Sequence, residues 1–226
     1  MTDRVPAGNG RASRRRVLSL YQDSTLVTRA HVRVRWATCP FRAVAQEIPT
    51  SGRILEVGCG HGLLSLLLAL TSPARALHGI DVDQDKLDGA RAAAVRGDLD
   101  VTFDVAVGGD LPEGPWDAIA IIDVLYLLDA DSQRSLLRSC AERLAAGGTL
   151  VVKEMAPVPR WKAAWNHAQE VAAVKLLGIT EGSELTFLAP AELAAAMSDG
   201  GLEVLERPLH RGYPHPHHLL VGRKPG

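Results

Sequence analysis

From residue 53 onward the apolar and polar positions switch repeatedly between two periods. RILEV (53–57), ALHGI (76–80), DVTF (100–103), WDAIAIID (116–123) and TLVVKE (149–154) are short apolar runs of strand length. Between them LLSLLLAL (63–70), QDKLDGARAAAV (84–95) and DSQRSLLRSCAERL (131–144) repeat their apolar residues at helical spacing. Gly147-Gly148 predicts a left-handed cap closing the last of these helices. Strands that alternate with helices build a parallel sheet covered on both faces. The rhythm breaks near the end, where LEVLERPL (202–209) and HLLVGRK (218–224) are separated only by HRGYPHPH. No crossover helix fits in that gap, so these two strands must pair antiparallel. The expectation is an α/β fold with a seven-stranded, mostly parallel sheet, closed by a C-terminal antiparallel hairpin.

Two segments fall outside this alternation. Residues 1–50 form an N-terminal arm and cap, with a helix over Thr25–Thr38 stopped by Pro40 and a mobile basic arm over the first twenty residues. Residues 51–226 form the core, into which 155–188 is inserted after strand five. That insertion carries RWKAAWNHAQEVAAVKLLG, an amphipathic helix. Open α/β sheets bind ligands beyond the carboxyl ends of their strands, so an insertion there is placed as a lid. Trp161 and Trp165 share a helix face, either as core packing or as the wall of a pocket for an aromatic acceptor. His167 and Glu170 read as a solvated polar face.

Composition narrows the classes. With 226 residues, 46% hydrophobic, the chain can bury one sizeable core. A net charge of −1 and a pI near 6.7 argue against a nucleic-acid footprint. Cys39, Cys59 and Cys140 are widely spaced, which suggests neither a disulfide framework nor a metal site and fits a reducing cytoplasm. Ser13-Arg14-Arg15-Arg16-Val17-Leu18 resembles a twin-arginine export signal, but the polar SLYQDSTLVTRAH that follows lacks the required apolar stretch. No run reaches the ~18 apolar residues of a membrane span.

The chemistry concentrates in ILEVGCGHG (54–62), where three alternate glycines and one acid follow the first strand. A turn from strand into helix gathers backbone N–H groups and the positive end of the helix dipole, and glycines let a ligand come close. The dinucleotide fingerprint G-x-G-x-x-G uses such a turn, but here the third glycine comes one position early and Leu63 stands at the last place. Glu56-Val57-Gly58-Cys59-Gly60-His61-Gly62 resembles instead the first motif of the class I S-adenosylmethionine-dependent methyltransferases. GIDVD (79–83), IIDVLYLLD (121–129) and LAAGGTLVVKE (144–154) are similar to the family's later motifs, in the same order. The resemblance covers residues 50–155 and implies a Rossmann-like fold with S-adenosyl-L-methionine as cofactor. It implies cofactor contacts from Glu56, Gly58, Gly60 and Gly62, from Asp81 at the ribose and Val82 beside the adenine, and from Asp123 near the methyl donor. Tyr21 is the arm residue expected to close over the methionine part. The family's usual acid at the adenine amino group aligns with Val107, so Asp104, Asp110 or backbone contacts take that place.

The acceptor is expected to be a small molecule methylated at oxygen rather than at nitrogen or carbon. The Asn/Asp-Pro-Pro-Tyr motif that serves exocyclic base amines is absent, with Asp123-Val124-Leu125-Tyr126 in its place. Arginine outnumbers lysine 20 to 5, a composition of GC-rich bacterial genomes in which such enzymes decorate secondary metabolites. The same fold can also host a non-methylating cyclisation or elimination. A hydroxyl acceptor needs a base only if it loses its proton during attack. Candidates lie at strand carboxyl ends: Asp123, Tyr126, Glu154 and the histidines 215, 217 and 218, of which Asp123, His217 and Glu154 are preferred. Glu154 has the alternative of pairing with Lys153 or an arm arginine. The arginines at 29, 33 and 35 read as surface rather than substrate clamp.

Overall fold

The computed structural model describes residues 10–106, 110–155, 185–209 and 217–226. Three helices precede the sheet: α1 (Gly10–Ser19), α2 (Leu26–Thr38) and α3 (Phe41–Ala45). Strands and helices then alternate as β1 (Gly52–Val57), α4 (Leu63–Thr71), β2 (Arg75–Asp81), α5 (Gln84–Arg96), β3 (Val101–Val105) and β4 (Trp116–Ile122). They continue as α6 (Ala130–Arg143), β5 (Leu144–Met155), α7 (Pro190–Asp199), β6 (Glu203–Leu209) and β7 (His217–Arg223). The seven strands lie in the order β3-β2-β1-β4-β5-β7-β6. The first five run parallel, and β7 inserts antiparallel between β5 and β6. The α/β, Rossmann-like sheet expected from the alternation is therefore present, hairpin included.

Side chains on the two faces of the central strands feed two separate cores. Ile54, Ala118, Ala120 and Val151 face one, packed beneath α1, α2, α4 and α5, while Leu55, Ile119, Ile121 and Val152 face the other, beneath α6 and α7. Both faces of β4 are covered, which explains why its sequence is a continuous apolar run rather than an alternation. Among the described residues no helix is long and apolar enough to cross a membrane.

Two expectations change. The first is the mobile basic arm: residues 10–19 are helical, and Val17, Leu20 and Tyr21 are buried in the core shared with α4. Spaced at i, i+3 and i+4, these three turn toward the core, while Arg14, Arg15 and Arg16 beside them are exposed. The second concerns Gly147-Gly148, which do not end α6. That helix stops at Arg143, and the Lys224 ammonium donates to the carbonyls of Ala141, Glu142 and Leu144 at 3.0, 3.1 and 2.9 Å. A cation on the last carbonyls complements the helix dipole there. The glycines instead lie in a bulge of β5, between the pairs Trp116↔Leu144 and Ala118↔Thr149.

The expected insertion spans residues 155–188. Residues 156–184, with Trp161, Trp165, His167 and Glu170, lie outside the described residues, as do Val107 and His215. Its return is described: Thr186 N–H donates to the Tyr126 carbonyl at 3.0 Å, and Phe187 stacks on the Tyr126 ring at 5.3 Å.

Candidate functional site

The glycine turn occupies the carboxyl end of β1, between β2 and β4, where the strand order reverses direction. Its glycines have different jobs. Gly58 has φ +70°, and a Cβ there would sit 2.2 Å from Cγ2 of Val124, so this position is dictated by the chain's own packing. Gly60 also has positive φ (+51°), but a Cβ there would meet only Lys86 Cδ at 3.8 Å and Asp81 Oδ2 at 4.0 Å. That side of the turn is the open cradle for a ligand. Gly62 is the N-cap of α4, whose dipole points its positive end toward the turn.

Asp81, the last residue of β2, faces the cradle. Its Oδ2 accepts from Gly60 N–H at 2.7 Å and its Oδ1 from Asp83 N–H at 3.0 Å. An ionised carboxylate has about four lone-pair sites, so each oxygen retains capacity for a further donor. Asp83 in turn caps α5 by accepting from Lys86 N–H at 3.1 Å. Val82 between them is 72% exposed, an apolar surface held at the strand end. An adenosine fits this set: a carboxylate for paired hydroxyls, an apolar shelf for a base and an open glycine turn.

Glu56 is buried, and its Oε2 accepts from both the backbone N–H and the hydroxyl of Ser65, at 2.9 and 2.5 Å. Burial pushes this carboxyl up to about 7, against the opposing pull of the two Ser65 hydrogen bonds. Tyr21 is 1% exposed and its hydroxyl donates to the His61 carbonyl inside the glycine turn. Sequence reasoning expected Tyr21 to find a polar partner, and that partner is the turn's own backbone. His61 packs edge-on against His31 at 5.1 Å. Burial, with His31 and Lys86 adding to it, lowers the His61 imidazole to about 4.

At the ends of β4 and β5 lies a buried ionic cluster. Asp123 has φ +57°, and its carboxylate binds Lys153 through Oδ1 and Arg35 through Oδ2, each at 2.5 Å. Burial would raise this carboxyl, but the two cations override it and hold it below the usual carboxylate range. Such a group is a weak base, so the expected catalytic part for Asp123 has no support in this geometry. Arg35 is correspondingly not a free surface cation but a half-buried one, and it also donates to the Ile122 carbonyl at 3.3 Å.

Glu154 is set apart from this cluster, and among the described residues it makes no ion pair with Lys153 or an arm arginine. Its Oε1 accepts from the N–H groups of Val124 and Leu125, at 3.0 and 2.9 Å. Its Oε2 is buried with no hydrogen-bond partner among the described residues. Burial and the neighbouring Asp123 charge raise it to about 8, against the two backbone donors. His217 pairs in register with Met155, one residue beyond Glu154, but its side chain is buried and its Nε2–H donates to the Thr38 carbonyl at 2.9 Å. That contact clasps α2 to the hairpin and turns the imidazole away from the role of base. His218 bonds Glu206 at 2.7 Å across the hairpin. Of the acids considered for adenine, Asp104 is paired with His78 at 2.9 Å, and Asp110 is exposed.

Sequence reading missed Arg35, Lys153 and Val124. A signal for one of them was present: Lys153 interrupts an apolar strand, and Ile122↔Lys153 is a register pair next to Asp123. A lone cation in a fully buried strand needs an anion, and the adjacent strand end supplies it.

Comparison with known proteins agrees with the geometry. Residues 54–148 match the model of a methyltransferase domain. A ubiquinone biosynthesis O-methyltransferase of Xylella fastidiosa is 31% identical over 167 residues, covering 71% of this chain and 65% of that protein. The chain thus spans slightly under two thirds of that relative's length. The structure of an O-methyltransferase family protein from Burkholderia thailandensis superposes with a TM-score of 0.70 at 22% identity, over 92% of this chain and 62% of that one. The [4+2]-cyclase SpnF superposes with a TM-score of 0.63 at 19% identity, over 82% and 79%. The last two likenesses concern the fold alone. The glycine turn, the strand-end carboxylate and the sheet order thus accompany a stretch that matches a methyltransferase domain, and together they resemble the class I S-adenosylmethionine-dependent methyltransferases.

Proposed function

We propose that this chain methylates an oxygen of a small-molecule acceptor, with Glu154 taking the proton that the acceptor hydroxyl loses. The observation that carries the reading is Glu154 itself: a carboxyl raised to about 8, with one oxygen fixed by two backbone donors and the other uncommitted among the described residues. S-adenosylmethionine, when bound, supplies the electrophilic methyl group on its sulfonium. Positioning and proton removal are then the protein's task. A phenol or alcohol loses its proton as it attacks, and a base near neutral pKa suits that step better than the cation-paired Asp123.

On this reading Asp81 holds the ribose hydroxyls, Val82 lies along the adenine, and the Gly58–Gly62 turn admits the amino-acid part, with Glu56 fixing the turn to α4 through Ser65. Tyr21 supports the turn through His61, and Asp123 anchors α2 at the donor end. The name of the Xylella relative and the absence of the base-amine motif support oxygen over nitrogen. A secondary metabolite is proposed as the acceptor class, from composition alone, and the cytoplasm as the site of action.

The test is mass spectrometry of products from a panel of phenolic and alcoholic acceptors, followed by the pH dependence of single-turnover rates. A mass gain of one methylene is expected, with a rate that rises through pH 8. Glu154→Gln keeps the two backbone hydrogen bonds but cannot accept a proton, and should slow turnover roughly 10²–10⁴-fold and flatten the profile. Consumption of acceptor without a mass gain would favour a cyclisation or elimination. Full activity in Glu154→Gln would remove the base from the mechanism.

A further inference from the structure

A second concave site lies away from the glycine turn, between α1 and α2. It is an open cleft of about 520 Å³, within the ~300–1,000 Å³ of small-molecule sites. Its floor is apolar, from the buried Val32, the buried ring of Tyr21 and Leu18. Around it stand four arginines: Arg14 and Arg15 from α1, Arg29 and Arg33 from α2. Arg29 and Arg33 are one turn apart, on the face that also carries Val32.

None of these four has a carboxylate partner within ion-pair distance among the described residues. The local sequence explains why. From residue 10 to residue 46 the chain holds eight arginines and a single acid, Asp23, and Asp23 is bound to Arg96. Arg35, the remaining strong cation of α2, is committed to Asp123. Surface arginines that serve only solubility are normally interspersed with acids, because like charges gathered around one concavity repel. Here two helices bring four guanidinium groups to the rim of one cavity, and among the described residues no acid lines it.

We infer that this cleft binds a soluble small molecule bearing a multiply charged oxyanion, a phosphoryl or clustered carboxylate group, with an apolar portion against Leu18. Guanidinium groups match both anions because their planar forks donate paired hydrogen bonds. The inference concerns binding and is independent of methyl transfer. It is nonetheless adjacent to it, since Tyr21 is both a wall of the cleft and the donor to the glycine turn.

Calorimetry on the full chain at constant ionic strength tests it, with inorganic pyrophosphate and citrate as separate probes. Saturable one-to-one binding of either is expected, and the preferred probe tells phosphoryl from carboxylate recognition. Arg29→Ala and Arg33→Ala, at a half-buried and an exposed position, should each weaken binding about ten- to a hundredfold with the thermal midpoint checked alongside. Arg16→Ala removes the same charge from the same neighbourhood but lies off the cavity, and should change the affinity less than about twofold. Binding of neither probe, or equal weakening by Arg16→Ala and Arg33→Ala, would overturn the site.

Discussion

Replacing Asp123 by Asn should be among the most damaging single-atom changes available to this fold. Asn tolerates the left-handed backbone at this position at least as well as Asp, so the φ of +57° adds no penalty of its own. The cost arises from Lys153, whose side chain is 0% exposed and whose ammonium lies 2.5 Å from Oδ1. With the carboxylate gone, that ammonium is left buried beside a neutral amide, a situation that typically costs about 3–5 kcal/mol. Arg35 behaves differently. Its side chain is 31% exposed, so its charge can turn toward water, and losing Asp123 there costs about 1 kcal/mol or less. Lys153→Met in the Asp123→Asn background removes the stranded charge while keeping the volume, and should recover most of the loss. Urea unfolding followed by circular dichroism measures each variant, and the double-mutant cycle isolates the pair. A loss under about 1 kcal/mol in Asp123→Asn, or a double variant no more stable than the single one, would refute the claim that a buried ion pair organises this strand end.

Asp81→Ala should weaken binding of S-adenosylhomocysteine by about 2–4 kcal/mol in calorimetry, as two hydrogen bonds to a charged acceptor disappear; unchanged affinity would move the ribose contact to Asp83. Glu154 should make the fold less stable as pH rises from about 5 to 8. In that window the unfolded chain has already released this proton while the folded chain, with its carboxyl raised to about 8, still holds it, and the contribution levels off above that value. Glu154→Gln should therefore flatten the pH dependence of the urea midpoint between 5 and 8, and an unaltered slope would argue against the raised carboxyl. Deleting residues 1–20 should lower stability by several kcal/mol, since Val17 and Leu20 leave the core, each worth about 1.5–3 kcal/mol. A truncated chain with an unchanged thermal midpoint would return these residues to the status of a loose arm.

The parts of this molecule that were legible from sequence are those encoded within a few residues of one another. Strand and helix periods, the helix over Thr25–Thr38 and the ordered glycine turn are local, and each lies where the pattern placed it. α1 is a partial exception. Val17, Leu20 and Tyr21 form a helical face, but a run of three arginines beside them drew the reading toward a solvated tail. What escaped depends on distant docking. The end of α6 is capped by Lys224, some eighty residues further on, and without that cation the nearby glycine pair was the only visible stop signal. Arg35 could be assigned to Asp123 only once α2 was known to cross the ends of β4 and β5, a contact over 88 positions.

The same limit applies inside the candidate site. Asp123, Glu154 and His217 are equivalent from sequence, three titratable groups at strand carboxyl ends. Their chemistry diverges because of what packs on each: two cations on the first, two backbone N–H groups and a neighbouring charge on the second, a carbonyl from α2 on the third. Residue type at a strand end therefore nominates a base, and the charges brought there by other elements decide whether it can act as one. In this chain the deciding residue is Lys153. By taking Asp123 as its counter-ion it fixes one carboxylate as a permanent anion, and that anion helps keep its neighbour Glu154 protonated up to about pH 8.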